Sequence, residues 1–462
     1  MIPSEETGMP FPFYLCLFSV VVLGAYFFDK RRFGFGLPAM AVLATVAFWY
    51  LGDALYNDYG TYRKKIGLLH LDSAWWQVLI FLWAFAFCVP VCHRAVSAKF
   101  LHKRSFSLHC YLTGRLEKPD IQHQLSRSAV AVFTVWGLLM IIAIIRVEGN
   151  ALSLFAPYFT GERVDPWARG RLGGGFSALL SLAQYFQTFL TAAAGLIFAL
   201  SRDPKIRLVS GIVCFLAFPY FIFDRTRNTM LATMLPGFLA WVFLRLKAPM
   251  YLKIGVLAGG FVIVTQWFMF VMENRVDRSI AGVVKTEERR SKQRKTHHEG
   301  LNMFEELGWI NKLMSNGRYK VNWGERYFAE AVNPVPRALW KDKPLIGIDY
   351  AIARGQGSTG GSSLVTATIS TGMIGQGVVN FGKIFGPIAA AFLMAIWVAI
   401  LTRQDLLAHD DPVRLLLYAS GMILTFNLGR DITLLVLYPF FFGILLLWGF
   451  QHFQKKRKTR PA

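Results

Sequence analysis

Charge is scarce in this 462-residue chain: only 17% of residues are Asp, Glu, Lys or Arg, against 54% hydrophobic. Soluble globular domains carry about a quarter charged residues, so an ordinary water-soluble composition is excluded. Acidic residues are the scarcer kind, 28 against 50 basic. Such an excess can mark a nucleic-acid binder. Here the basic residues lie mainly in short segments between apolar blocks, where they hold membrane topology, and no nucleic-acid partner is expected. Cysteine is also sparse. Cys16, Cys88, Cys92 and Cys214 lie in apolar blocks and Cys110 in a segment assigned to the cytoplasm, so no structural disulfide is expected. Cys110 with His102, His109 and His123 lacks the second cysteine and the spacing of a zinc site, and neither metal nor cofactor is expected. The N-terminal MIPSEETGMP has no basic run ahead of its apolar block, unlike a cleaved signal peptide. Nor is there a visible internal repeat of the kind found in inverted-repeat transporters.

What the chain does have is apolar blocks of membrane-crossing length. They lie near 11–28, 35–51, 75–92, 129–145, 177–200, 208–223, 231–244, 254–272, 384–402, 414–429 and 432–450. A bilayer core is about 30 Å thick, which such blocks cross as helices. The fold class predicted is an all-α polytopic membrane protein with about eleven transmembrane helices. The expected organisation is an N-terminal bundle of about eight helices over 1–272, then a large extracytoplasmic loop over 273–383. C-terminal helices follow over 384–450, with a basic cytoplasmic tail over 451–462. Placing the C-terminus inside puts 23 Lys and Arg in cytoplasmic segments and 10 in short outer ones. That agrees with the positive-inside rule, from which long loops are exempt. The predicted location is a bacterial inner membrane, with the N-terminus extracytoplasmic and the C-terminus cytoplasmic.

The long loop divides by composition. A solvated basic run, KTEERRSKQRKTHH (285–298), precedes a stretch with Phe304, Leu307, Ile310, Leu313 and Met314 on one helical face. That face suits either the membrane surface or the transmembrane bundle. Next come NPVPRALWKDKP (333–344), stiffened by three prolines, and the small-residue strip RGQGSTGGSS (354–363). Arg337, Trp340 and Lys343 in the stiff segment suit a sugar phosphate: guanidinium binds phosphate through two hydrogen bonds, and indole stacks on sugar faces. Gly355, Gly357 and Gly360 spell GxGxxG without a preceding strand, which reads as a loop or as an amide nest for an anion beside Arg354. Two short turns between apolar spans carry arginine: Asp224, Arg225 and Arg227 in DRTRNTM (224–230), and Arg430 followed by Asp431. Arginine at membrane depth faces a cavity or a partner. Asp224, Glu273, Asp277, Glu325, Glu330 and Asp431 are the carboxylates available on this face as a general base, and the sequence does not choose among them.

The order of these features resembles the O-antigen polymerase family, the oligosaccharide repeat-unit polymerases. It lies in the arginine turn opening a span (Arg227 to Leu231), the segment Pro336-Arg337, Trp340 and Lys343-Pro344, and the entry Asn380-Phe381-Gly382 with Gly386 into the next span. The resemblance implies a glycosyltransferase-C-like fold and a metal-independent transfer of glycan from polyprenyl diphosphate onto a repeat unit, without cofactor. It implies a catalytic role for Arg227, beside which Asp224 is placed. Arg337, Trp340 and Lys343 would bind substrate; Arg225, Arg354 and Arg430 join them by location alone, with the diphosphate held by 333–363 and 224–230. Implied partners are the polyprenyl-diphosphate-linked oligosaccharide, membrane lipids, a chain-length regulator and a flippase. The alternatives are the related O-antigen ligases, whose loop histidine His298 with Asn302 would imitate, and a flippase or transporter. A transporter favours ionisable residues in the spans, whereas these carry neutral Gln184, Gln187, Gln266 and Asn427.

Overall fold

The computed structural model describes residues 8–97, 115–155, 157, 165–167, 177–223, 227–273, 302–336, 339–344, 347–355, 369–408, 411 and 413–458. Among these residues every regular element is helical. Nine helices among the described residues are long and apolar enough to cross a bilayer: Phe11–Asp29, Gly36–Tyr56, Leu68–Val96, Pro119–Arg146, Leu182–Leu200, Pro204–Ile222, Met250–Trp267, Met373–Ala408 and Leu434–His452. The two other expected spans are also helices, but shorter. The block at 231–244 forms Arg227–Ala240 continued by a π-helical turn, Trp241–Arg245. That at 414–429 forms Val413–Leu428. Phe87 and Phe215 stand 75% and 77% exposed on their helices. Side chains of that kind, on helices whose backbone groups bond internally, fit hydrocarbon rather than water. The chain is a multi-pass all-α membrane protein.

It divides into two compact units. One comprises Met1–Phe106, Thr296–Leu406 and Leu424–Val436; the other comprises Ser107–Lys295, Leu407–Ile423 and Leu437–Ala462. In the second, Gly195 and Gly237 let Ser177–Leu200 and Arg227–Ala240 touch backbone to backbone, since a Cβ on Gly237 would lie 2.7 Å from the Gly195 carbonyl carbon.

The first unit contains the described part of the long loop. Of the two placements open to the amphipathic stretch, the structure selects the bundle. Met303–Ser315 packs its apolar face on Leu68–Ser97: Phe304 stacks on Trp75 at 3.9 Å between centroids. Gly308 leaves room for Ile66 and Leu71, since a Cβ there would meet Leu71 at 2.8 Å. The helix start is held by a buried acid, Asp53, whose Oδ2 accepts the amides of Phe304 (2.7 Å) and Glu305 (3.1 Å). Its Oδ1 accepts from Asn57 Nδ2 at 2.6 Å and from the Tyr62 hydroxyl at 2.8 Å. A carboxylate at a helix N-terminus takes up amides that the helix cannot satisfy itself and meets the positive end of its dipole.

The entry into the next span differs from expectation. Residues assigned to the loop's end are already helical from Met373, and the chain turns sharply at Gly382 (φ 80°, ψ −178°). Gly377 and Gly386 touch across this turn: a Cβ on Gly377 would lie 2.1 Å from the Gly386 carbonyl oxygen. Nine positions apart along one straight helix would separate them by about 13 Å, so the chain doubles back as a helical hairpin. Only glycine permits both that φ and that approach. Residues 371–380 are all buried.

Gln77 and Asn311 join the loop helix to the bundle by reciprocal amide hydrogen bonds of 2.8 and 3.0 Å, both side chains buried. Gln77→Leu alone should lower stability by about 1–3 kcal/mol, because it strands a buried amide. Gln77→Leu with Asn311→Leu should recover most of that loss. Unfolding in mixed micelles measures both; equal loss in the single and double variants would refute the pairing.

Candidate functional site

The first unit gathers four charged side chains around the start of the buried Met373 helix. Asp431 is the centre. Its Oδ1 accepts the Thr371 amide at 3.2 Å and the Thr371 hydroxyl at 2.9 Å, and lies 3.6 Å from Arg326 Nη2. Gln376 fixes the same turn by bonding both backbone groups of Ile432: its Oε1 accepts the amide at 2.7 Å and its Nε2 donates to the carbonyl at 3.2 Å. The Met373 amide donates to the Gly429 carbonyl at 3.1 Å, and the Ile374 amide to the Tyr50 hydroxyl at 2.9 Å. The amides of Thr371, Met373 and Ile374 at this helix start therefore meet the 429–433 turn or Tyr50.

Arg326 and Glu330 come from the next element, Glu325–Val332. They lie four residues apart, hence on one face, and that face is the buried one together with Ala329. Glu330 Oε2 accepts the Thr433 hydroxyl at 2.5 Å. Arg326 is 5% exposed, and among the described residues its Nε and Nη1 have no hydrogen-bond partner. A buried guanidinium with two uncommitted donor nitrogens is an incomplete anion site, since burying a charge is tolerated only with full pairing. The hydroxyl of Tyr327 is similarly enclosed without a partner, and burial pushes it above the ordinary tyrosine range. Arg430 completes the group: Nη2 donates to Ser370 Oγ at 3.2 Å and the guanidinium lies 5.9 Å from the Trp49 ring.

Burial pushes the Glu330 carboxyl up from 4.5 to about 7. The Thr433 hydrogen bond opposes that rise, the Asp431 charge adds to it, and the Arg326 charge opposes it. A carboxyl titrating near neutrality is poised to take or give a proton.

The residues singled out from sequence fall in several places. Arg430 is in the cluster, and Glu330 and Asp431 are two of the six carboxylates considered. Arg354 is committed elsewhere in the same unit: it grips Glu306 through Nε at 3.1 Å and Nη2 at 2.9 Å and lies 4.3 Å over Trp309. The Tyr350 hydroxyl donates to the same carboxylate at 2.5 Å. Lys343 Nζ donates to the carbonyls of Asn333 and Val335 at 2.8 and 2.9 Å, which braces the turn after Glu325–Val332. Trp340 sits at the surface, edge-on to Phe328 at 6.2 Å. Arg227 opens the helix Arg227–Ala240 in the second unit, its side chain outside the described residues, as are Asp224, Arg225 and Arg337. His298, Gly357 and Gly360 also lie outside them. Arg326 was not foreseen. The signal available was the reversed pattern of ERYFAEA, in which Arg, Ala and Glu share a face opposite Phe328.

No family model, curated protein or solved structure matches this chain.

The raised Glu330 carboxyl carries a sign for stability. The folded state holds the proton more tightly, so this group's contribution is fully present below pH 4.5 and lost as pH rises through about 7. The loss is on the order of 3 kcal/mol from the width of that interval. Glu330→Gln mimics the protonated acid and should gain stability relative to the parent as pH rises across this window. Melting temperatures of the two proteins in detergent between pH 4.5 and 8 test this; parallel curves would remove the shift.

Proposed function

We propose that this chain is a membrane glycosyltransferase that polymerises lipid-linked oligosaccharide repeat units. The donor is glycan on polyprenyl diphosphate, used at the outer face of a bacterial inner membrane. The N-terminus is then extracytoplasmic and the C-terminus cytoplasmic, with a glycosyltransferase-C-like arrangement of spans. The observation that carries this reading is Arg326, buried with two nitrogens uncommitted among the described residues, beside a carboxyl that titrates near neutrality.

Glycosyl transfer from a diphosphate needs two things. Positive charge must meet the oxygen on which charge develops as the anomeric carbon–oxygen bond breaks. A base must also accept the proton of the attacking hydroxyl as the new bond forms. Arg326 supplies the first through its free N–H groups, with Arg430 close by on the same turn as Asp431. Glu330, ionised above about pH 7, supplies the second. Asp431 orients Arg326 and does not itself react. The roles of Arg227 and Arg337 rest on the resemblance, and those of Asp224 and Arg225 on their place in the same turn as Arg227. Pathway partners, a chain-length regulator and a flippase, follow from the same reading.

Deleting the gene should leave single repeat units on the lipid carrier or surface glycan capped with one unit. Full-length polymer on the carrier would instead identify a ligase, and unchanged surface polymer would refute both. With purified protein and lipid-linked repeats, Glu330→Gln should lower turnover by about 10²–10⁴-fold, the usual contribution of a general base. Arg326→Lys should be nearly as damaging, since ammonium does not reproduce the planar fork of donors. Arg227→Ala should lose activity while still inserting; normal polymer length in that variant would remove Arg227 from the mechanism.

A further inference from the structure

The Glu325–Val332 helix turns its charged face inward and an aromatic face outward. Phe328, opposite Arg326 and Glu330, is 53% exposed. Trp340, edge-on to Phe328, is at the surface, and the neighbouring Leu339 is 73% exposed. Just before the helix, Trp323 is 79% exposed on a left-handed backbone (φ 50°), followed by Gly324 at φ 93°. A bulky residue avoids that region unless something holds it there, and here the strain serves to aim an indole away from the protein. In water the Phe328–Trp340 pair, with Trp323 and Leu339 exposed on the segments that flank it, would be large apolar surface without a purpose.

The helix's inward contacts give its depth. Glu330 bonds Thr433, the residue immediately before the span Leu434–His452, and Arg326 pairs with Asp431 two residues earlier. On its other side the Tyr327 ring lies 6.1 Å from Phe381, beside the Gly382 turn that leads into a long apolar helix. The helix therefore lies level with the ends of two membrane-crossing helices, where hydrocarbon gives way to water. Trp is enriched at that boundary because its ring is apolar and its N–H is not. Exposed Arg318, Lys320 and Lys341 in the same stretch suit phosphate headgroups.

We infer that Trp323, Phe328 and Trp340 form an interfacial anchor that rests in the headgroup–acyl boundary of the bilayer. The anchor holds the Arg326–Glu330 face level with lipid headgroups, and it stands independently of the reaction assigned to that face. Its occupant is the bilayer surface itself.

The test is a depth measurement on the full chain in nanodiscs of phosphatidylethanolamine and phosphatidylglycerol. Position 323 or 328 is replaced by p-acetylphenylalanine, coupled to a nitroxide, and its collisions with oxygen and with a nickel chelate are recorded. The same label at Asn316, exposed after the Met303–Ser315 helix, serves as the aqueous reference. The oxygen-to-nickel ratio at 323 and 328 should exceed that at 316 several-fold. A ratio equal to the reference would overturn the anchor, because the patch would then face water. Shielding from both reagents would overturn it equally, because protein would then cover the patch. Each label sits on an exposed side chain, so the second position decides the matter if the first variant is poorly made.

Discussion

The Asp431 carboxylate is the contact on which the described site depends. It lies just ahead of a helix whose first residues are all buried, where two donors of Thr371 meet it. From there it draws Arg326 inward from a different element. Without a fixed negative charge at that point, a guanidinium with two unpaired donors would not stay buried. Gln376 secures the turn that carries Asp431 by bonding both backbone groups of Ile432. Position, charge and backbone satisfaction are thus solved together at one turn.

The same device appears twice in this unit. Asp53 caps Met303–Ser315 through two amides, and Asp431 holds Thr371, two residues ahead of the helix beginning at Met373. In both cases a carboxylate drawn out of bulk water, fully for Asp53 and partly for Asp431, is compensated by several donors, which is the condition for keeping it. Between these two helices run Glu325–Val332 and Ile348–Ala353, where Glu306, Tyr350 and Arg354 close a second ion pair. The described part of the loop is therefore built into the unit by polar contacts. Its titratable consequence near neutral pH is Glu330, which combines burial, a neighbouring negative charge and one short hydrogen bond.

The sequence made some of this legible and hid the rest. Block lengths of apolar residues sufficed for the membrane class, because crossing hydrocarbon leaves helices and closed barrels as the only options. They did not reveal the doubling back at Gly382, since a buried hairpin and a continuous span have the same composition. Glu330 and Asp431 were visible as carboxylates but equal to four others. Burial and contacts alone separate them. Arg326 was hidden for a plainer reason: Arg and Glu four residues apart also reads as an ordinary ion pair on a solvated helix face, which masks the reversed pattern of ERYFAEA. Lys343 and Arg354 looked like ligands for phosphate, yet one braces carbonyls and the other grips Glu306.

What the sequence determined by itself was the solvent: too little charge and too many long apolar blocks for water, with cations concentrated in short connections. Hydrophobic transfer is additive along the chain and needs no knowledge of neighbours. The tertiary structure alone decided which face of Glu325–Val332 is inside, against the usual rule, and which acid meets which arginine. Those outcomes depend on distances between residues separated by about a hundred positions in the chain, as Arg326 and Asp431 are. Electrostatic pairing falls off with distance and is decided only once the chain has brought the partners together.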